Sequence, residues 1–361
     1  MPPKVSVVMS VYQGEQYLEE ALRGVLNQTW RDYEFIIVDD GSTDDTALIL
    51  NNHAERDRRI KLLKNEHNLG LTKSLNRALS IVQGEYVARQ DADDVSMRRR
   101  LESQVKLMES RPQVGLVGTA CRVIDAEGRA LGDYVWPTSD TAIRWHMLFH
   151  NAFCHSSVMW RRSAFGEHEP RYDEGYRYSQ DYALWTVLLR SAKAENLEVP
   201  LVAYRSHDRN IEATSRAAQQ DSADNIAAQA IDELLGDELI NRENLRTLRQ
   251  WYNRWPDRLV ASDRHVCALY LRILSAFVRV HSSRSGDMAE ICRSVVERVL
   301  SSLTGSSPIE LWRAGLAGTL LQLDGPFVMK FMGRGYWKRM KSLLRPVVRP
   351  AINERDTRRR L

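Results

Sequence analysis

The chain holds only four cysteines in 361 residues, Cys121, Cys154, Cys267 and Cys292, with no Cys-x-x-Cys pair and no flanking histidine pattern. That scarcity argues against a disulfide framework and a structural zinc site, and leaves reduced, mostly buried thiols. Long apolar runs are missing too. The best candidate, 269–280, carries Arg272 and Arg279 and reads as a soluble helix. Met1-Pro2-Pro3-Lys4 leads straight into a strand, without the apolar core of a secretory signal. The expectation is therefore a cytoplasmic protein. Low-complexity stretches and evident repeats are lacking as well, so the composition is that of an ordinary globular chain, long enough for two units with separate cores. The formal net charge is only +4, but it is uneven, because 330–360 is heavily basic.

What is present is a strand–helix rhythm. Val5-Ser6-Val7-Val8-Met9-Ser10 is an almost continuous apolar run, as expected of a parallel strand covered on both faces. Helical spacing follows over 17–26, then a strand over 34–38, a helix opened by Ser42 or Thr43, a strand over 60–63 and a helix over 71–81. A short strand over 86–88 ends this series. Further on, 98–108 predicts a helix, 115–123 a strand, 182–189 a helix and 201–205 a last strand. Alternation at this spacing means βαβ units and a parallel sheet, whose ligands bind beyond the carboxyl ends of the strands. From about Ser215 strand signals vanish and helices are predicted over 217–235, 242–255, 264–280, 288–303 and 309–321. The expected division is an α/β domain over 1–214, a helical region over 215–325 and a basic amphipathic segment over 326–361.

Polar clusters fall at three of those strand ends, around Tyr12, Asp40 and Asp91–Asp93. The densest is Gln90-Asp91-Ala92-Asp93-Asp94. Crowded carboxylates repel one another unless a cation sits among them. Hard oxygen donors suit Mg²⁺ or Mn²⁺, commonly held by one or two carboxylates plus substrate phosphates. An acidic turn capping the next helix is the plainer alternative.

In chain order, Ser6-Val7-Val8-Met9-Ser10-Val11-Tyr12, Val38-Asp39-Asp40-Gly41-Ser42, Asn68-x-Gly70-Leu71-x-x-Ser74-Leu75-Asn76, Asp91-Ala92-Asp93-Asp94 and Ser179-Gln180-Asp181-Tyr182-x-Leu184-Trp185, with Tyr204-Arg205-x-His207 beyond, resemble family 2 glycosyltransferases. The resemblance spans roughly 4–212 and implies the Rossmann-like GT-A fold with an inverting, nucleotide-sugar-dependent activity. It implies that Ser10 and Tyr12 line the nucleoside pocket, that Asp40 accepts from the base imide, and that Asp39 supports the loop. Asn68 and Lys73 border the nucleotide, with Lys73 either reaching the diphosphate or simply exposed. Asp91 contacts sugar or ribose hydroxyls, Asp93 binds the divalent cation, and Asp94 assists or caps the helix. Asp181 is the candidate general base, in a motif where Glu-Asp is more usual than Gln180-Asp181. His207 is a metal or diphosphate ligand or a structural histidine. Arg205 either binds phosphate or forms a structural ion pair. Trp185 is either an acceptor platform or a core anchor, and His155 lies on the acceptor-side strand.

The implied partners are a nucleoside-diphosphate sugar, with UDP-sugars favoured, and a glycan or lipid-linked acceptor, as in bacterial surface polysaccharide synthesis. Phe327, Phe331, Tyr336 and Trp337 interleave with Lys330, Arg334, Lys338 and Arg339, a pattern that suits an anionic membrane at the inner face of the plasma membrane or a helix docked on the protein itself. No nucleic-acid-binding module accompanies it. A nucleotidyltransferase on a related sheet is an alternative, but Tyr12-Gln13-Gly14-Glu15 is not the Gly-rich basic loop such enzymes use. A non-catalytic scaffold working through its helices is the other, and the full set of aspartates argues against it.

Overall fold

The computed structural model describes residues 1–166, 170–208, 215–236, 240–253, 264–281 and 286–302. Contacts divide the chain into two units, Met1–Asp237 and Glu238–Leu361.

The first unit is built on a sheet that opens with β1 (Val5–Val11) and β2 (Tyr33–Asp39), both buried at every position. Next come β3 (Ile60–Lys64), β4 (Tyr86–Arg89), β5 (Val95–Ser96) and β6 (Val114–Ile124). The later strands are β7 (Ala130–Tyr134), β8 (Met159–Arg161) and β9 (Lys193–Arg205). Among the described residues the order is β3-β2-β1-β4-β8-β6-β9-β5, with β7 paired to β6. The β3-β2-β1-β4 half is parallel, and β8 enters antiparallel between β4 and β6.

Alternation along the strands sorts side chains into two cores. Val5, Val7, Met9, Phe35 and Ile37 face α1 (Leu18–Leu26), α2 (Thr46–Arg56) and α4 (Arg100–Ser110). Val8, Ile36 and Val38 face α3 (Leu71–Leu79), α5 (Asp140–Met147) and α6 (Gln180–Leu188). The result is a three-layer helix–sheet–helix sandwich. Its second core centres on Trp160 and Trp185, both fully buried with ring centroids 5.3 Å apart. Trp185 is thus a core anchor and not an acceptor platform.

Helix α7 (Arg216–Leu235) lies beyond the expected boundary at 214, yet it belongs to the first unit, because Ile226 joins the core that holds Trp185. The second unit contains α8 (Arg242–Asn253), α9 (Arg264–Val280) and α10 (Gly286–Ser302). They bury Leu245, Leu248, Tyr270, Leu274, Val295 and Val296. The helix expected over 309–321 and the basic segment over 326–361 lie outside the described residues.

Candidate active site

A cleft of about 740 Å³ opens at the carboxyl ends of β1, β2 and β4. Its walls gather eight residues expected from the sequence: Ser10, Tyr12, Asp40, Asn68, Lys73, Asp91, Asp93 and His207. Ser10, Tyr12, Asp40, Asp91 and Asp93 come together because parallel strands deliver their ends to one edge of the sheet, while Asn68 and Lys73 come from the entry to α3 and His207 from the end of β9. The chain break after β1 is tight: Gly14 donates its amide to Thr46 Oγ1 at 2.8 Å, which ties the loop to the start of α2. Tyr12 stands half-exposed beside it (51 %), with its ring free to cover a planar base.

Asp40 is buried and works hard in the second loop. It accepts from the amides of Leu69 (2.8 Å) and Gly70 (2.9 Å) and from Asn65 Nδ2 (2.6 Å). Asp40 thus anchors the 65–70 loop alongside the loop support expected of Asp39, and it keeps one acceptor site of the roughly four on a carboxylate. Asp39 accepts from Ser42 N through Oδ1, while its buried Oδ2 has no protein partner. Gly41 sits at φ +75° within this crossing, where a Cβ would lie 2.6 Å from the His67 carbonyl carbon, so only glycine lets the two loops meet.

The acidic cluster splits into three environments. Burial raises the pKa of Asp91, but Arg89, His155 and Ser156 outweigh it and hold the carboxyl below its usual range. Burial and the charge of Asp91 push Asp93 up, against the opposing pull of His207. Asp94 is driven well up by burial and by both neighbouring carboxylates. Crowded acids thus share their titration, as expected of coupled groups. Asp94 is 1 % exposed and accepts from Arg205 N at 2.8 Å, so it clasps the end of β9 and does not cap α4.

That clasp decides between the two expectations for Arg205. Its side chain is 2 % exposed and does not line the cleft. Nε donates to Asp93 O (3.0 Å), Nη1 to Ala126 O (3.1 Å) and Asp125 O (3.4 Å), and Nη2 to Glu20. The guanidinium carbon lies 4.5 Å from the centre of the Tyr17 ring, which in turn packs 5.0 Å from His207. Arg205 forms the structural ion pair with Glu20, and its guanidinium is committed to these partners and not to the cleft. Three segments, 17–20, 93 and 125–126, meet on it, and two residues further on His207 Nε2 lies 3.1 Å from Asp93 Oδ2.

These two side chains fit a hard divalent cation. A carboxylate that burial and a like charge make reluctant to ionise gains from a cation, and an imidazole beside it adds a nitrogen donor. Among the described residues no group of three His, Cys, Asp or Glu is arranged to hold a metal, so a cation at this pair would need further ligands.

Asp181 lies in the first turn of α6 and is not among the residues that line the cleft. Asn151 Nδ2 donates to its Oδ2 at 2.7 Å. His155 and Tyr172 feel the charges of both Asp91 and Asp181. Burial and Arg89 hold the His155 imidazole below its ordinary value. Ser179, just before Asp181, is at φ 57° in the left-handed region, and its hydroxyl donates to Gln219 O at 3.2 Å. A non-glycine residue there is uncommon, and it stands at the N-cap of α6.

Sequence reasoning missed Arg89, Asn151 and Ser156. A cation closing an apolar strand two residues before Asp91 was the available signal for the first. The other two are brought in by β8 and its flanking turn, from far along the chain.

Comparison with known proteins places this geometry. The model of the family described as Glycosyl transferase family 2 matches residues 6–168. An uncharacterised glycosyltransferase of Haemophilus influenzae is 31 % identical over 239 residues, covering 63 % of this chain and 73 % of that protein. The O-antigen biosynthesis glycosyltransferase WbnJ of Escherichia coli is 30 % identical over 217 residues, covering 59 % and 84 %. Among solved structures, S. aureus TarS 1–349 in complex with UDP-GlcNAc superposes with a TM-score of 0.56 at 15 % identity, covering 90 % of this chain and 91 % of that one. With this sheet, this order of motifs and these relatives, the chain belongs to glycosyltransferase family 2 and has the GT-A fold.

Proposed function

We propose that the protein moves a sugar, with inversion, from a nucleoside diphosphate to a hydroxyl of a glycan or lipid-linked acceptor in the building of a surface polysaccharide. The observation that carries this reading is the cleft itself. One wall offers a flat ring and backbone-anchored acceptors, and the other offers the Asp93–His207 pair 3.1 Å apart. In this reading Tyr12 covers the base, Ser10, Asp40 and Asn68 border the nucleoside, Lys73 meets the diphosphate, and Asp91 accepts from sugar hydroxyls.

Asp93 and His207 would hold Mn²⁺ or Mg²⁺, which when bound offsets the charge that builds on the leaving diphosphate. The chain's own residues do the rest. Asp181 takes the proton of the acceptor hydroxyl through the oxygen that Asn151 leaves open. As that proton leaves, the hydroxyl oxygen bonds to the anomeric carbon from the face opposite the diphosphate. The bond to the diphosphate oxygen breaks, and its electron pair leaves with the nucleotide. Holding donor and acceptor in line supplies much of the acceleration.

The polysaccharide setting is supported by the relative named for O-antigen biosynthesis and by a putative teichuronic acid biosynthesis glycosyltransferase of Bacillus subtilis, TuaG, 40 % identical over 109 residues. UDP-sugars are the donors to test first, since the TarS structure holds UDP-GlcNAc. No helix among the described residues is long and apolar enough to cross a membrane. The basic segment over 326–361 is proposed to bring the enzyme to an anionic surface at the inner face of the plasma membrane. Cutting the chain after 326 is expected to abolish sedimentation with anionic liposomes, and unchanged sedimentation overturns that part.

The donor reading is tested by a thermal-shift screen of nucleoside diphosphates and their sugars with Mn²⁺, because a ligand of the native state raises its stability. A clear shift with one nucleotide family, lost in Asp93→Ala, is the expected result. No shift with any of them refutes the reading.

A further inference from the structure

We infer that Arg89 and Ser156 are positioning residues that hold Asp91 as a fixed double acceptor for hydroxyls of the donor sugar; the inference rests on the donor reading above. Arg89 closes β4 and is fully buried. A cation taken out of water needs a partner, and its guanidinium donates to Asp91 Oδ1 and to Gln90 O. On the other side, Ser156 Oγ donates to Asp91 Oδ2 at 2.5 Å. Each carboxylate oxygen therefore carries one buried donor, and each keeps a second acceptor site. The partly exposed edge of Asp91 lies in the cleft wall, so those sites are offered there.

Neither donor can drift. Arg89 N donates to Val158 O at 3.0 Å within the sheet. The turn that bears Ser156 is pinned through Ser157, whose hydroxyl donates to Cys154 O at 2.9 Å and whose carbonyl accepts from Gln104 Nε2 at 2.7 Å. An acceptor fixed in advance spends little freedom when a ligand arrives, so its hydrogen bonds count almost fully toward binding. Such a site also discriminates sharply against a sugar that lacks the hydroxyl, since buried polar groups are then left unpaired. Arg89 and Ser156 touch neither Asp93 nor the nucleoside wall. Their hydrogen bonds to Asp91 bear first on the sugar.

The test is calorimetric titration of UDP and UDP-glucose with Mn²⁺ into the wild-type protein and into Ser156→Ala, Arg89→Lys and Asp91→Asn. The readout is the sugar gain, the ratio of the two affinities within one protein, which a general loss of stability does not move. Ser156→Ala and Arg89→Lys are expected to cut the gain roughly tenfold while UDP alone binds as in the wild type. If Arg89→Lys does not fold, Ser156→Ala decides. Where UDP-glucose is not the donor, the pair identified by the thermal-shift screen replaces it. A sugar gain left intact in Ser156→Ala, or absent from the wild type, overturns this inference alone. A wild-type protein that binds no nucleotide refutes the donor reading and this inference with it.

Discussion

Replacing Arg205 by methionine tests whether this side chain builds the site or binds substrate. The change keeps the aliphatic bulk and removes every guanidinium donor. Three backbone acceptors lose their partner, Asp93 O at 3.0 Å, Ala126 O at 3.1 Å and Asp125 O at 3.4 Å. A buried acceptor left unpaired costs about 1–3 kcal/mol. The longest of the three bonds was weak, and water entering from the Glu20 side recovers part of the loss. Glu20 is 63 % exposed, so its end of the pair adds little. A destabilisation of about 2–4 kcal/mol follows, which for a unit of this size lowers Tm by roughly 5–15 °C. Differential scanning calorimetry reads this directly. Arg205→Lys sharpens the result, because an ammonium can pair with Glu20 but cannot span three carbonyls. It is expected to lose most of the same stability. Wild-type Tm in Arg205→Met, with nucleotide binding lost, would restore the phosphate-ligand role and refute the structural one.

Asp181→Asn is expected to retain donor binding and to lose transfer by a factor of about 10²–10⁴, read by steady-state turnover once the donor is known; turnover at the wild-type rate removes the base assignment. Trp160→Ala opens a cavity where two indoles pack in the second core, and chemical denaturation is expected to show a loss of about 3–5 kcal/mol. Glu34 is buried, which disfavours its charge, but Lys61, Ser6 and the Gln83 amide outweigh burial and hold it below the ordinary value of 4.5. Its depressed folded pKa means that it contributes stability in full above that value and loses it as pH falls through the folded pKa. The stability advantage of the wild type over Glu34→Gln, followed by urea titration at several pH values, should therefore be constant near neutrality and shrink in acid; an advantage that grows in acid contradicts the assignment.

The strands of the parallel half were legible because Val5–Val11 and Tyr33–Asp39 are buried on both faces and so read as apolar runs. The gathering of Tyr12, Asp40, Asp91 and Asp93 was legible for the same reason: each follows the end of a parallel strand, and parallel strands share one carboxyl edge. The other half was harder to read. Strand β8 is three residues long and owes its place to pairing with β4 and β6. Strand β7 is exposed throughout and exists only as the partner of β6, so no apolar pattern marks it. Strand β9 begins at Lys193, eight residues before the expected start, because its register against β6 is irregular and crosses Pro200. The roles of Asp40 and Asp94 turned on loop amides contributed by Leu69, Gly70 and Arg205, contacts between distant segments that local spacing does not encode. Arg89 hid for a different reason, since a fully buried arginine runs against the usual exposure of its type.

In the proposed function a nucleoside-diphosphate sugar lies in the cleft with its diphosphate and a cation between Asp93 and His207. Crystals soaked with Mn²⁺ and the nucleotide identified by thermal shift test it most directly, through the anomalous signal of manganese. The account predicts a peak within bonding distance of Asp93 Oδ2 and His207 Nε2, with the base against Tyr12 and phosphate oxygens completing the shell. A nucleotide bound outside this cleft, or manganese bound away from both side chains, would contradict it.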